Sequence, residues 1–189
     1  MKELVELFEV HDVHSSPARF DMKKLEAING DKIRALSAEE FLNRALPFLK
    51  DAGVISGTDA EIALVKQALP IIQERIVKLG EIPAMLKFLF VKELVVEADS
   101  KEKIKDDQSK QVLKRALEVL EPLSVWNHDS IEGALRTALI DEMGLKPRIA
   151  FGAVRIAATG SHISPPLFES MELLGKEASI SRVKAAISL

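Results

Sequence analysis

Apolar residues recur along most of the chain at intervals of three and four, the spacing that lines one face of a helix. Leu4, Leu7 and Phe8 mark a short amphipathic helix from Lys2 to about Val10. Asp21 is placed to cap a second helix carrying Met22, Leu25 and Ile28, which the Asn29-Gly30 pair is expected to stop. Ser37 to Glu40 and Thr58 to Glu61 both have the capping-box spacing, in which hydroxyl and carboxylate satisfy each other's backbone amides. The first opens a helix to about Lys50, ended by Gly53. The second opens a helix whose Ile62, Val65, Leu69, Ile72 and Ile76 form a buried stripe, with a kink at Pro70. Ala84 to about Val95 reads as a further helix.

Residues 97–110, EADSKEKIKDDQSK, are the most polar stretch and alternate in sign; they read as a boundary and a solvated face without a binding role. Beyond them, Val112, Ala116, Val119, Leu120 and Leu123 mark a helix that Pro122 helps to end. Asp129 to Glu132 repeats the capping-box pattern before the stripe Ile131, Leu135, Leu139 and Met143, which Gly144 closes. The small residues of Arg148 to Ala158 predict a tightly packed helix ending at Gly160, followed by a loop from Ser161 to Pro166 stiffened by two prolines. Leu167 and Phe168 open a helix that Gly175 closes, and a last helix from about Lys176 carries Ile180, Val183 and Ile187. Alternation long enough for a strand is missing, so the expected fold is all-α, without significant sheet. Two packed helical subdomains are expected, residues 1–98 and 99–189.

Composition supports that picture. The chain has 189 residues, 47% of them hydrophobic, with eight Phe, one Trp and no Tyr, so its core rests on aliphatic residues. The lone Trp126 is expected to anchor a core. No cysteine is present, which excludes disulfides and thiolate metal sites and suits a reducing cytoplasm. No run approaches the ~20 apolar residues of a membrane span, and the acidic start MKELVELFEV does not read as a secretory signal.

The net charge of −3 argues against non-specific coating of nucleic acid, which needs many phosphate contacts. The charge is uneven. Residues 1–98 hold 13 basic and 16 acidic side chains, whereas residues 99–189 hold 13 of each. From Gly144 to Phe168 there is no acid, while Lys146, Arg148 and Arg155 are basic and His162 can add a proton.

Catalytic and metal chemistry finds no foothold. Neither GxxxxGK[ST] nor GxGxxG occurs, and Ser161 beside His162 lacks the elbow that would orient a nucleophile. His11 and His14 have a metal-compatible spacing but no evident third ligand, so they read as loop side chains. No catalytic residue and no metal ligand is assigned. A helix end with an arginine, then a rigid loop with hydroxyls, bare carbonyls and an exposed leucine, suits single-stranded RNA, whose bases offer edges and faces.

The stretch RIAATGSHISPPLFESMELLG, residues 155–175, resembles the C-terminal signature of bacterial glutamyl-tRNA synthetases, with its R-V-A-L-T-G, S-P-P-L-F-E and L-L-G-K-E series. SPARFDMKKLEAINGDKIR, residues 16–34, resembles that family's segment following the catalytic domain, with Ala27 and Lys32 where aromatic residues are frequent. The resemblance implies an all-helical body, a helix bundle at 1–98 that contacts the tRNA stem and a helical cage at 99–189 that binds the anticodon. It implies a tRNA accepting glutamate as partner, contacted by Arg75, Arg155, Ser164, Pro165 and Leu167. Arg155 would hold a base or phosphate, Ser164 and the Pro165 carbonyl would meet base edges, and Leu167 would support a base face. Arg75, otherwise free to snorkel or pair with Glu74 or Glu81, would read the last anticodon base. The H-I-G-H-like and K-M-S-K-S-like motifs of such enzymes are missing, so ATP and Mg would belong to a catalytic domain outside this chain, which itself needs no cofactor. A cytoplasmic monomer is expected. The rival reading is a helical protein-interaction module docking through Ser164 to Phe168.

Overall fold

The computed structural model describes residues 2–12 and 19–189. His14, and Ser16 to Ala18 of the SPARFD string, therefore lie outside the described residues. The fold is all-α: among the described residues there is no strand.

Helix α1 (Lys2–Leu7) and a 3-10 turn at Val10–Asp12 come first. Leu7 at the end of α1 and Phe8 just beyond it are exposed. In α2 (Met22–Arg34), the Asp21 carboxylate accepts from the Lys23 and Lys24 amides at 3.0 and 3.1 Å, as its sequence predicts. The helix does not stop at Asn29-Gly30 but continues to Arg34. Tertiary docking overrides the local signal. A Cβ on the buried Gly30 would lie 3.2 Å from a Val77 methyl, and the Asn29 side-chain amide donates to the Val77 carbonyl. The Gln73 amide donates to the Ile33 and Leu36 carbonyls at 2.9 and 3.0 Å. These contacts fasten α2 to the segment that carries Arg75.

Both capping boxes form, at the starts of α3 (Ala38–Asp51) and α4 (Asp59–Ala68). Pro70 interrupts the next stripe as expected. Helix α4 ends before Leu69, and Pro70 opens the single turn of α5 (Pro70–Gln73), where its missing amide hydrogen is not needed. The helix expected from Ala84 to Val95 is much shorter: α6 (Ile82–Leu86) runs into a 3-10 turn at Lys87–Leu89, and the chain is irregular up to Glu97. The irregular stretch is held by a distant residue instead of by a helical ladder: Arg182 donates to the Phe88 and Val91 carbonyls at 2.9 and 3.1 Å.

The polar stretch 97–110 is more than a solvated face. It forms α7 (Ala98–Glu102), in which Ser100 is buried, and Ile104 just beyond reaches the second core. Helices α8 (Asp107–Leu120) and α9 (His128–Arg136) follow, and Asn127 rather than Asp129 caps α9, its side chain accepting from the Ser130 amide at 2.9 Å. A wider π-helical turn at Thr137–Glu142 extends α9. Then come α10 (Pro147–Thr159), α11 (Leu167–Leu174) and α12 (Lys176–Ile187).

Buried apolar side chains form two clusters. One joins α3 to α6, with Phe41, Leu49, Val65, Ile72, Ile76 and Leu86 at its centre. The other joins α8 to α12 around Leu113, Leu120, Leu135, Leu139, Val154 and Val183. The small Ala150, Ala153 and Ala157 let α10 pack closely on α8 and α12. Trp126 packs on this second cluster and donates its indole N–H to the Met171 carbonyl at 2.9 Å. Leu173 of α11 reaches across to the first cluster, where α11 packs on α4.

Candidate nucleic-acid interface

Local chemistry ends α10 and shapes the loop after it. Gly160 has φ 80° and donates its amide to the Ile156 carbonyl at 2.8 Å, the left-handed termination that glycine favours. A Cβ there would lie 2.9 Å from the Val95 carbonyl oxygen, so the position is restricted twice over. The close approach serves a junction: the Glu97 amide donates to the Gly160 carbonyl at 2.9 Å.

Helix α7 and its N-terminal flank hold the loop. The Ser161 hydroxyl donates to Glu97 at 2.7 Å, the His162 amide donates to the Ser100 hydroxyl at 3.1 Å, and the His162 Nδ1 lies 3.0 Å from that hydroxyl. Glu97, Asp99 and His162 thereby bring potential ligand atoms within 4.8 Å of one another. All three are exposed, and the hydrogen bonds to Ser161 and Ser100 account for the placement of Glu97 and His162.

Arg155, one turn before the end of α10, closes the other side of the loop. Its Nη1 donates to the Ser164 hydroxyl at 2.7 Å and to the Pro165 carbonyl at 2.6 Å. The Pro166 carbonyl accepts from the Ser170 hydroxyl at 2.6 Å. The expected bare carbonyls are thus engaged within the protein, because the loop is folded back onto α10 and α11. Among the described residues the Nη2 and Nε groups of Arg155 have no acceptor, so the guanidinium braces the loop with one nitrogen and keeps two donor groups in hand.

Leu167 departs from expectation. It is only 3% exposed and belongs to the second core, because the first turn of α11 points it inward. The exposed apolar side chain of the loop is Ile163, at 65%. Ser164 and Pro165 are buried as well, so of these loop residues Ile163 and His162 face solvent most openly.

Arg75 follows α5 and is exposed; its neighbour Ile76 is buried and its backbone is set by the Gln73 and Asn29 contacts to α2. Burial lowers the pKa of Arg155 below the ordinary arginine value, and the positive charge of Arg75 acts in the same direction, opposed by Glu169. The two arginines thus come from different halves of the chain, and the charge of one disfavours the charge of the other. Among the described residues no carboxylate lies within ion-pair distance of Arg75, Arg148 or Arg155. With only Glu169 opposing them, and no ion pair formed to either, two like charges favour an added anion beside them.

A shallow cleft of about 600 Å³ runs beside Arg155, lined by Lys103, Asp106, Arg148, Gly152, Arg155 and His162 among others, so its lining is basic on balance with one carboxylate at the edge. Arg148, Gly152 and Arg155 fall at intervals of four and three, which places them on one face of α10. Sequence reasoning missed Lys103 and Gly152, and it missed the grip of Ser100 on the loop. The acid-free window signals Arg148, but nothing local links α7 to residues 62 positions away.

The described residues form an all-helical body with two cores, in which a braced loop and the arginines Arg148 and Arg155, free of ion pairs, lie beside an open cleft. Its family follows from comparison: the family model described as "Anticodon binding domain" matches residues 40–187, and the chain belongs to that family. It is 48% identical to a glutamate–tRNA ligase of Nocardioides sp., over 99% of this chain and 39% of that protein. It is 46% identical to a glutamate–tRNA ligase of Paenarthrobacter aurescens, over 98% of this chain and 37% of that protein. The chain thus spans less than two-fifths of the relatives it matches. A crystal structure of a glutamate tRNA ligase from Elizabethkingia meningosepticum shares the fold, with TM-score 0.73 at 21% identity, covering 99% of this chain and 36% of that one.

Proposed function

We propose that this chain recognises the anticodon loop of a tRNA that accepts glutamate, as the anticodon-binding body of a glutamate–tRNA ligase. The observation that supports the reading is that Arg155, which braces the loop, and Arg75, from the other half of the chain, oppose each other electrostatically and have no carboxylate within ion-pair distance among the described residues. Arg155 acts with its unengaged nitrogens on a base edge or phosphate, while its third nitrogen keeps Ser164 and Pro165 in place. Arg75 reads the last anticodon base, by a bidentate contact of a kind worth ~1–3 kcal/mol of discrimination in DNA complexes. Ile163 is placed for the apolar contact expected of Leu167. Lys103 and Arg148 hold phosphates along the cleft.

Ligation of glutamate, with ATP and Mg, belongs in this reading to the remainder of the synthetase, since no phosphate-cradling loop occurs in this chain. That remainder also supplies a partner surface. Phe20, Met22, Leu25 and Ile28 are 46 to 70% exposed, with Met22, Leu25 and Ile28 at helical spacing along one face of α2. The whole enzyme works as a cytoplasmic monomer. No helix among the described residues is long and apolar enough to cross a membrane.

The rival reading, protein docking through Ser164 to Phe168, has little surface to use. Ser164, Pro165 and Leu167 are buried, and Phe168 packs edge-on against Phe151 with ring centroids 5.2 Å apart. The experiment is binding of this chain to glutamate tRNA and to an anticodon-changed control across a salt series. Preferential binding that weakens steeply with salt supports the reading; equal or absent binding refutes it.

A further inference from the structure

Arg182 is half-buried like Arg155, and its surroundings differ. It lies on α12, and among the described residues it has no carboxylate within ion-pair distance. Its acceptors are three backbone carbonyls: Nη1 donates to Ala158 at 2.9 Å, and Nη2 donates to Phe88 at 2.9 Å and Val91 at 3.1 Å. Burial alone lowers its pKa from the ordinary value. A cation withdrawn from water and met only by neutral carbonyls is an unfavourable choice unless its geometry is needed.

The geometry joins two parts of the chain. Ala158 is in the last turn of α10, where unpaired carbonyls and the helix dipole attract a cation. Phe88 in the 3-10 turn and Val91 just after it belong to the stretch following α6, which leads back to the first core through Leu86 and Ile82. The same guanidinium thus holds the end of the helix that carries Arg155 and the half of the chain that carries Arg75. A planar fork with several fixed donors can span three carbonyls; a lysine ammonium on a flexible stem offers a single point of charge.

We infer that Arg182 is a positioning residue for anticodon discrimination, a clasp that fixes the separation of the two halves and hence of Arg75 and Arg155. This rests on the anticodon reading above. It touches no RNA itself. Its loss loosens the relation between the reading groups while leaving their charges, and therefore non-specific attraction, in place.

The chain has no cysteine, so a pair of spin labels can be introduced without background. Lys66→Cys on α4 and Lys114→Cys on α8 place them at exposed sites, one in each half. The distance distribution is measured by pulsed electron resonance in the parent, Arg182→Met and Arg182→Lys backgrounds, with circular dichroism to establish that each variant is folded. Binding of the unlabelled variants to glutamate tRNA and to the anticodon-changed control is measured alongside. The expected result is a broadened or shifted distribution in Arg182→Met, a smaller change in Arg182→Lys, and a loss of cognate affinity of about tenfold against a change of less than about twofold for the control. An unchanged distribution in both folded variants overturns the clasp. A changed distribution with equal losses for both tRNAs overturns the role in discrimination. If the parent chain itself shows no anticodon preference, the anticodon reading and the discrimination role fall together, and the distances alone still decide whether Arg182 holds the halves.

Discussion

Arg155 reaches past the end of its own helix to hold Ser164 and Pro165, with 2.7 and 2.6 Å hydrogen bonds from a single nitrogen. The residue proposed to meet RNA is therefore also the brace of the loop beside it. Removing it acts in two ways. Arg155→Ala should lower stability by about 1–3 kcal/mol, since the half-buried bonds involve a charged donor, and should weaken tRNA binding by at least about tenfold. Ser164→Ala deletes a single brace contact and leaves the charge intact. It should cost about 1 kcal/mol in urea unfolding and weaken binding far less. Equal binding losses for the two variants would show that Arg155 acts only through the loop.

Gly160 tests the junction from the other side. With φ 80° and a would-be Cβ 2.9 Å from the Val95 carbonyl, alanine must adopt a disfavoured backbone and also push the 94–97 segment away. Gly160→Ala should destabilise by about 1–3 kcal/mol in urea unfolding. Amide exchange should also accelerate at Glu97, whose N–H is bonded to the Gly160 carbonyl. A neutral effect would mean that the segment yields freely.

What the sequence reveals here divides by distance along the chain. Asp21, Ser37, Thr58 and Gly160 act on amides or carbonyls within a turn of themselves, so their roles are legible in the residue order. Asn29-Gly30 fails as a stop signal because its partner, Val77, is 48 residues from Asn29. The expected helix from Ala84 to Val95 is cut short where the chain is held by a remote contact, Arg182 donating to the Phe88 carbonyl from 94 residues away. Leu167 is expected to be exposed as part of the rigid loop, but the start of α11 turns it into the core. The arginines of the site stand out through the resemblance and the acid-free window. Their juxtaposition, and the part of α7 in holding the loop, arise from packing between segments that no local pattern connects.

The contact between α9 and α11 gives a pH dependence. The Glu172 carboxylate accepts from the His128 amide at 2.9 Å and lies 2.8 Å from its Nδ1. The hydrogen bond to Glu172, with the charge of Asp129, raises the His128 pKa above 6.5; the hydrogen bonds from His128 lower the Glu172 pKa below 4.5. The histidine contribution is complete below pH 6.5 and fades as pH rises through the raised value. The glutamate contribution is complete above pH 4.5 and fades as pH falls through the depressed value. Both are present between about pH 4.5 and 6.5. His128→Gln should therefore lower the melting temperature most within that window and progressively less above it. A pH-independent difference would show that the pair does not act through charge.

Gly152 offers the sharpest separation of stability from binding. It sits in the interior of α10 on the face of Arg148 and Arg155, and a Cβ there would meet nothing within 4 Å. No packing in the free protein requires glycine at this position, and its conformation is ordinary helix. Glycine in a helix interior costs roughly 0.5–1 kcal/mol relative to alanine, so Gly152→Ala should raise stability by about that amount. The missing side chain leaves the floor of the 600 Å³ cleft open beside Arg155. A nucleotide approaching Arg155 along that floor needs the space and is repelled by negative charge. Gly152→Glu should therefore fold with nearly parental stability yet weaken tRNA binding by tenfold or more, whereas Gly152→Ala should lose only a few-fold. Parental affinity in Gly152→Glu would move the RNA path off this face of α10 and leave the loop and Arg75 as the remaining contact surface.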